Sequence, residues 1–237
     1  MSEPGWTSDE MMTIAAARSL RDGATCFVGI GLPSAAANLA RRLHAPNLVL
    51  IYESGTIGST PTVLPLSIGD GELAETADAV VPVPEIFAYW LEGGRIDVGF
   101  LGAAQIDRFA NLNTTVIGSY QQPTVRLPGS GGAPEIAASA HEVLVVVRHN
   151  RRTFVETLDF VSTRGDRVSR VITDLGILEP VASDRELVLT HVSPGVIVGA
   201  VREATGWPLH EADRVIDLEP PTDTELGALR ELRSDRQ

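Results

Sequence analysis

The run Leu48-Val49-Leu50-Ile51-Tyr52 constrains this chain more than any other stretch. It is apolar throughout, carries β-branched residues and has the length of a strand, so it predicts a buried strand. It stops on a carboxylate, Glu53, and Ser54, Gly55 and Gly58 then supply turn chemistry. One acid therefore stands where a buried strand meets a glycine-bearing loop. In open α/β sheets that rim, at the carboxyl ends of the strands, is where ligands bind. The other reading of Glu53 is a solvated turn residue after a core strand, and the remaining sequence has to separate the two.

Strands and helices alternate from end to end. Thr7-Ser8-Asp9-Glu10 is a capping box, predicting a helix to about Asp22 that stops at Gly23. The strand Thr25–Ile30 runs into Gly29-Ile30-Gly31-Leu32-Pro33, ahead of a helix Ser34–Leu43. Strand, glycine loop and helix N-terminus form an arrangement that cradles phosphate, although two glycines alone are no dinucleotide fingerprint. Thr60 to Asp78 is irregular, and a loop of this length in a compact domain is functional or poorly ordered. Ala79–Val83 is a strand; Pro84 opens a helix Glu85–Glu92 with Phe87, Trp90 and Leu91 toward the core, closed by Gly93-Gly94.

The strand Ile96–Leu101 leads to Gly102-Ala103-Ala104-Gln105-Ile106-Asp107, then Asn111-Leu112-Asn113 and a strand to Ile117. In Gly129-Ser130-Gly131-Gly132-Ala133, three glycines in four residues imply positive φ or a close backbone approach to a ligand. The helix Pro134–His141 and the strand Val143–Arg148 follow. Arg148, Arg151 and Arg152 meet an anionic ligand or begin a solvated helix. Val168–Thr173, Gly176–Leu178 and Glu186–Thr190 read as strands. Ser193 caps a helix with Pro194 at its first position, Ile197, Ala200, Val201 and Ala204 on its apolar face and Gly206 past its end. The tail from Pro220 is a docking arm or a solvated helix. The class is α/β, with an open, mainly parallel sheet, helices on both faces and one domain over residues 1–237, the docking tail being 220–237.

Composition removes several functions. A formal charge of −12 argues against nucleic acid, which needs a basic surface. All 19 cations are arginine. Without lysine, neither a Schiff base nor a P-loop is available. Cys26 is the only cysteine, so no internal disulfide and no cysteine-based zinc site forms, and the five histidines lack paired ligand spacing, which speaks against a metal enzyme. No apolar run approaches the roughly 20 residues that span a bilayer. The start Met-Ser-Glu-Pro-Gly-Trp has no signal-peptide pattern, so the expected location is cytoplasmic. No Gly-x-Ser-x-Gly frame supports a serine hydrolase. A strand-end carboxylate and two glycine loops remain, and a carboxylate is a covalent nucleophile when its partner is an activated acyl group.

Taken in order, Gly29-Ile30-Gly31-Leu32-Pro33, Glu53-Ser54-Gly55, the segment from Gly102 to Asp107, Asn111-Leu112-Asn113 and Gly129 to Ala133 resemble the β subunit of class I coenzyme A transferases, closest to the glutaconate CoA-transferase branch. The likeness covers about Thr7 to Gly206. The 3-oxoacid branch usually reads Ser-Glu-Asn-Gly at the catalytic turn, whereas this chain reads Tyr-Glu-Ser-Gly, which speaks against a 3-oxoacid substrate. The resemblance implies a class I CoA-transferase fold and Glu53 as the nucleophile. CoA would move from an acyl-CoA, of a dicarboxylic or similar acid, to a carboxylate acceptor through a glutamyl-CoA thioester. It assigns CoA and oxyanion binding to Gly29, Gly31, Gly102, Ala103, Gln105, Gly129, Gly131, Gly132 and Ala133. It also implies a separate α subunit in an αβ or α2β2 assembly, and no metal or organic cofactor beyond the CoA thioester substrate. The alternatives on the same fold are a CoA-ester hydrolase, a decarboxylase or a non-catalytic subunit.

Overall fold

Thr7 opens the first helix as its sequence predicts. The Glu10 N–H donates to Thr7 Oγ1 at 3.2 Å and the Thr7 N–H donates to the Glu10 carboxylate at 2.7 Å. In the computed structural model, which describes residues 5–181 and 184–234, this helix, α1, spans Ser8–Arg18. It stops short of Asp22 because the Ser19 and Leu20 N–H groups turn back three residues, to Ala16 and Ala17. Gly23, at φ +75°, belongs to the next turn.

The chain forms two compact units, one from Met1–Phe100, Ser139–His141 and Pro220–Gln237, the other from Leu101–Ala138 and Glu142–Glu219. In the first unit α1 is followed by β1 (Thr25–Val28), α2 (Leu32–Leu43), β2 (Val49–Tyr52), β3 (Thr56–Ile57), α3 (Gly71–Glu75), β4 (Ala79–Val80), α4 (Val83–Glu85) and β5 (Val98–Leu101). The strand order is β5-β1-β2-β3-β4. β5, β1 and β2 are parallel, and β3 and β4 add antiparallel pairings at the edge. The register pairs Val28 with Tyr52, so the segments after β1 and β2 leave the sheet side by side at its carboxyl edge. Side chains alternate across a strand. Val28 and Tyr52 face α2, whereas Phe27 points to the opposite face and meets Phe87 edge-on, with ring centroids 6.2 Å apart.

Phe87 lies in a π-helical segment, Ile86–Leu91, where a regular helix over Glu85–Glu92 was expected. The Glu92 and Arg95 N–H groups reach back five residues, to Phe87 and Trp90. The wider turn puts Ile86 and Leu91 on one side, both fully buried, and leaves Phe87 and Trp90 half-buried. The Thr60–Asp78 stretch is not wholly irregular. Asp70 Oδ1 accepts the Glu72 N–H to cap α3, and α3 buries Leu73.

The second unit contains β6 (Gln105–Ile106), β7 (Leu112–Asn113), β8 (Val116–Gly118), β9 (Pro123–Arg126), α5 (Ala133–Ser139), β10 (Glu142–Val146), β11 (Val168–Ile172), β12 (Gly176–Pro180), β13 (Leu187–Val192), α6 (Val198–Ala204) and β14 (His210–Asp217). Its strand order is β14-β13-β12-β11-β10, with β10 parallel to β11 and β13 parallel to β14. Pro194 does not open a helix. The Val196 N–H donates to the Ser193 carbonyl at 3.0 Å and Gly195 sits at φ +81°. Pro-Gly thus fills the two central positions of a tight turn. α6 starts later, after Ile197, and Ile197 itself is 72% exposed.

The tail returns to the first unit as α7 (Asp223–Ser234), opened by a second capping box between Thr222 and Glu225. Leu226, Leu229 and Leu232 are buried. Arg18 pairs with Glu225 at 2.7 Å, and Arg230 with Glu10 at 2.7 Å. The Arg230 guanidinium holds the Glu10 carboxyl down to about 2. No helix among the described residues is long and apolar enough to cross a membrane.

Candidate active site

Glu53 is the first residue beyond β2. The Gly55 N–H donates to the Tyr52 carbonyl at 3.0 Å, closing a tight turn with Glu53 and Ser54 at its two central positions. Gly55 has φ +106°, and a β-carbon there would stand 2.0 Å from the Val81 carbonyl oxygen. Only glycine fits. Gly58 also has a positive φ, +70°, and a β-carbon there would meet the Asp78 side chain rather than backbone. The Glu53 side chain is half-buried, and among the described residues its carboxylate has no hydrogen-bond or ion-pair partner. A carboxylate so placed is free to meet a ligand, while the backbone beneath it is clamped at both ends.

Gly29 and Gly31 follow β1, the parallel neighbour of β2, and so share this rim with Glu53. Gly31 is the N-cap of α2 at φ +83°, ψ −131°, a combination only glycine adopts freely. Nothing lies within 4 Å of the position a β-carbon would take on Gly29 or Gly31, so the loop faces open space. The sequence reading passed over three side chains behind this loop. The Tyr52 hydroxyl, fully buried, lies 2.9 Å from Ser34 Oγ and accepts from Asn38 Nδ2 at 3.3 Å. Burial pushes the Tyr52 hydroxyl above the ordinary tyrosine range, so it stays protonated. Ser34 and Asn38 are four apart on α2, a spacing that puts them on one helix face. That spacing was visible in the sequence; their tyrosine partner was not.

The remaining expected site residues are in the second unit. Gly102 is exposed and Ala103 half-buried. Gln105 is buried and fully engaged: its Nε2 donates to Asp159 Oδ2 at 3.0 Å, and its Oε1 accepts from Asn113 Nδ2 at 2.7 Å. Asn113 also donates to the Val116 carbonyl and accepts from the Thr115 N–H. Asp107 likewise folds the loop onto itself, accepting from the N–H groups of Phe109 and Asn111. The residues from Gln105 to Asn113 thus brace their own loops.

Gly129 and Gly131 have φ +104° and +52°, and a β-carbon on either would meet nothing within 4 Å. The Gly129 N–H is fixed by the Thr114 carbonyl, and the Ala133 N–H by Ser130. Those of Gly131 and Gly132 find no acceptor among the described residues. Of the arginine patch, Arg148 is paired to Asp174 at 3.2 Å and Arg151 is bound to the Glu203 carbonyl, whereas Arg152 is exposed and its guanidinium has no partner among the described residues. Among the described residues no cluster of histidine, cysteine, aspartate or glutamate could hold a metal ion, and Cys26 is buried and in no disulfide.

The sequence pattern of the coenzyme A transferase family matches residues 9–204. One of the subunits of the 3-oxoadipate CoA-transferase of Pseudomonas knackmussii is 58% identical, over 97% of this chain and 94% of that one. The name of that relative carries a 3-oxo acid, the substrate class that the Tyr-Glu-Ser-Gly turn was read against. The glutaconate CoA-transferase structure from Acidaminococcus fermentans superposes with a TM-score of 0.90 at 29% identity, covering 98% of this chain and 96% of its own. The decarboxylase AibA/AibB superposes with a TM-score of 0.87 at 27% identity, covering 96% and 95%. A mainly parallel sheet with flanking helices, an unpartnered carboxylate at its rim and these likenesses lead to one assignment: the chain belongs to the coenzyme A transferase family.

Proposed function

We propose that this chain is the β subunit of a CoA-transferase and that Glu53 carries CoA between the two half-reactions. The reading rests on the Glu53 carboxylate, half-buried and unpartnered in a turn that nothing but glycine at position 55 can close. A carboxylate oxygen attacks the thioester carbonyl of the donor, expelling CoA thiolate and leaving an acyl-glutamyl anhydride. The thiolate attacks the glutamyl carbonyl of the anhydride, releasing the donor acid and leaving glutamyl-CoA thioester. The acceptor carboxylate then attacks that thioester, and the expelled thiolate takes the acceptor's acyl group, which restores Glu53. Every atom is accounted for, with no water, redox partner or further cofactor.

Each attack builds negative charge on a carbonyl oxygen, and one well-aimed backbone donor against such charge is worth about 3–4 kcal/mol. In the unit that holds Glu53, the Gly29–Gly31 loop is the source of such donors, because it shares the rim and opens to free space. The acyl groups we propose are short dicarboxylates, with 3-oxoadipate tested first, as the names of the two transferase relatives suggest. An α subunit completes the acyl and CoA pocket, so the isolated chain is expected to be inactive.

The test is intact-mass analysis of the αβ complex after treatment with succinyl-CoA and no acceptor. The expected result is CoA attached to Glu53 as a thioester, abolished in Glu53→Gln. Turnover with Glu53 never modified would refute the mechanism, and acceptor-independent loss of the CoA ester would point to a hydrolase or decarboxylase.

A further inference from the structure

Tyr52 is tied at three points. Its backbone pairs with Val28 of β1, its carbonyl accepts the Gly55 N–H that closes the Glu53 turn, and its hydroxyl is held by Ser34 and Asn38 in the first two turns of α2. Asn38 is itself fixed, since its Nδ2 also donates to the Ser34 carbonyl at 2.9 Å. Ser34 follows Pro33 directly after the Gly31 cap, so this buried cluster joins the strand that ends on Glu53 to the helix that begins at the glycine loop. Ser34, Asn38 and Tyr52 are each at most 3% exposed; of the three, Asn38 borders a surface cavity of about 220 Å³ that Arg41, Arg42 and Thr60 also line.

A hydroxyl buried this deeply costs free energy unless it is bonded, and the same contact could have been made by phenylalanine with no polar atom to satisfy. The strand already has its ladder, and α2 already packs through Ala35, Ala36 and Leu39, all buried. What the hydroxyl adds is direction. It fixes how far β2 extends along the axis of α2, and hence where the next residue leaves the sheet relative to Gly29 and Gly31.

We propose that Tyr52 is a positioning residue, whose hydroxyl, held by Ser34 and Asn38, sets the place of the Glu53 carboxylate against the Gly29–Gly31 loop. The proposal rests on Glu53 being the nucleophile. Phenylalanine at position 52 keeps the ring packing and removes only the tie. The carboxylate then samples a wider range of positions, and a displacement of about 1 Å is enough to cost on the order of 100-fold in rate. Substrate affinity is unaffected, because the cluster touches no substrate.

The experiment measures formation of the CoA adduct on Glu53 from succinyl-CoA alone, in the αβ complex, for wild type, Tyr52→Phe, Ser34→Ala and the double variant. Adduct formation in Tyr52→Phe should slow by about 10- to 100-fold, with the KM for the CoA ester unchanged. The double variant should be no slower than Tyr52→Phe, since both substitutions cut one linkage. Ile14→Ala, which opens a cavity in α1 of the same unit, serves as a control for lost stability and should form the adduct at the wild-type rate. An unchanged adduct rate in Tyr52→Phe, a loss confined to KM, or equal slowing in Ile14→Ala would overturn the proposal and leave the Glu53 mechanism standing. A wild-type complex that turns over with no adduct would remove both.

Discussion

The carbonyl oxygen of Val81 stands 2.0 Å from the place a β-carbon on Gly55 would occupy, and the Val81 N–H donates to the Gly55 carbonyl at 2.9 Å. The turn that presents Glu53 is therefore pressed from outside by the segment that follows β4. Gly55→Ala meets both a forbidden φ and a backbone collision. It should destabilise the chain by at least about 3 kcal/mol, read from urea denaturation, and abolish transfer in whatever fraction still folds. Wild-type stability in this variant would mean the turn is looser than described.

Glu53→Asp keeps the charge and withdraws it by one methylene. With the backbone of the turn clamped at Tyr52 and Gly55, the shorter side chain cannot be carried forward to compensate. Transfer should fall by on the order of 100-fold, with the CoA-ester KM little changed. Steady-state kinetics of the αβ complex would show it, and recovery within about tenfold would argue that the turn moves during catalysis.

We expect the Gly129–Ala133 loop to approach the CoA ester. Gly131 lies at a φ that asparagine tolerates and valine does not, and it faces open space. Gly131→Asn should fold with wild-type stability yet bind the CoA ester at least about tenfold more weakly, because its side chain fills that space, whereas Gly131→Val should also lose stability. Unchanged kinetics in the asparagine variant would reduce these glycines to turn formers.

The burial of His149 sets the sign of a pH dependence in the second unit. Its ring lies against Phe154, with centroids 3.7 Å apart, between the hydroxyls of Thr173 and Thr205. Burial lowers it from 6.5 to about 4, against the opposing pull of Asp174. The unfolded chain binds the proton first as pH falls. The stabilisation is therefore complete above about pH 6.5, drains away between there and pH 4, and amounts to about 3 kcal/mol in order of magnitude. Urea midpoints taken across this range should fall for wild type and stay flatter for His149→Phe. Parallel slopes in the two proteins would place the pH dependence elsewhere.

Features written in neighbouring residues were legible from the sequence. The Thr7–Glu10 box, the strand ending on Glu53 and the positive-φ glycines at 31, 55, 129 and 131 all announce themselves within a few positions. Errors came where two local signals competed. Ser193-Pro194 reads as a helix start, but the Gly195 that follows makes a turn the lower-energy use of the same proline. The π-helical segment at Ile86–Leu91 escaped because its five-residue repeat is set by what it packs on, Phe27 among them. β14 shows mostly exposed side chains and hence no apolar alternation to find. Tyr52 read as one more core residue, since its partners Ser34 and Asn38 are 18 and 14 positions away. Gln105 and Asn113 showed the reverse: the motif was visible, and only the structure reveals that their amides are spent on each other and on Asp159.

The pairing of Glu10 with Arg230, and of Arg18 with Glu225, has a consequence for how this molecule comes into being. A ribosome delivers α1 first and α7 last, at roughly 5–20 residues per second. For the whole interval of synthesis the surface destined for Leu226, Leu229 and Leu232 is bare on the nascent chain, and Glu10 has no guanidinium to meet. The residues from Leu101 onward can settle while this waits. The first unit to emerge is thus the last to be finished. A stalled or prematurely ended translation product would carry an open apolar face on its earliest helices, marked for chaperone capture or degradation before the Glu53 turn is ever used.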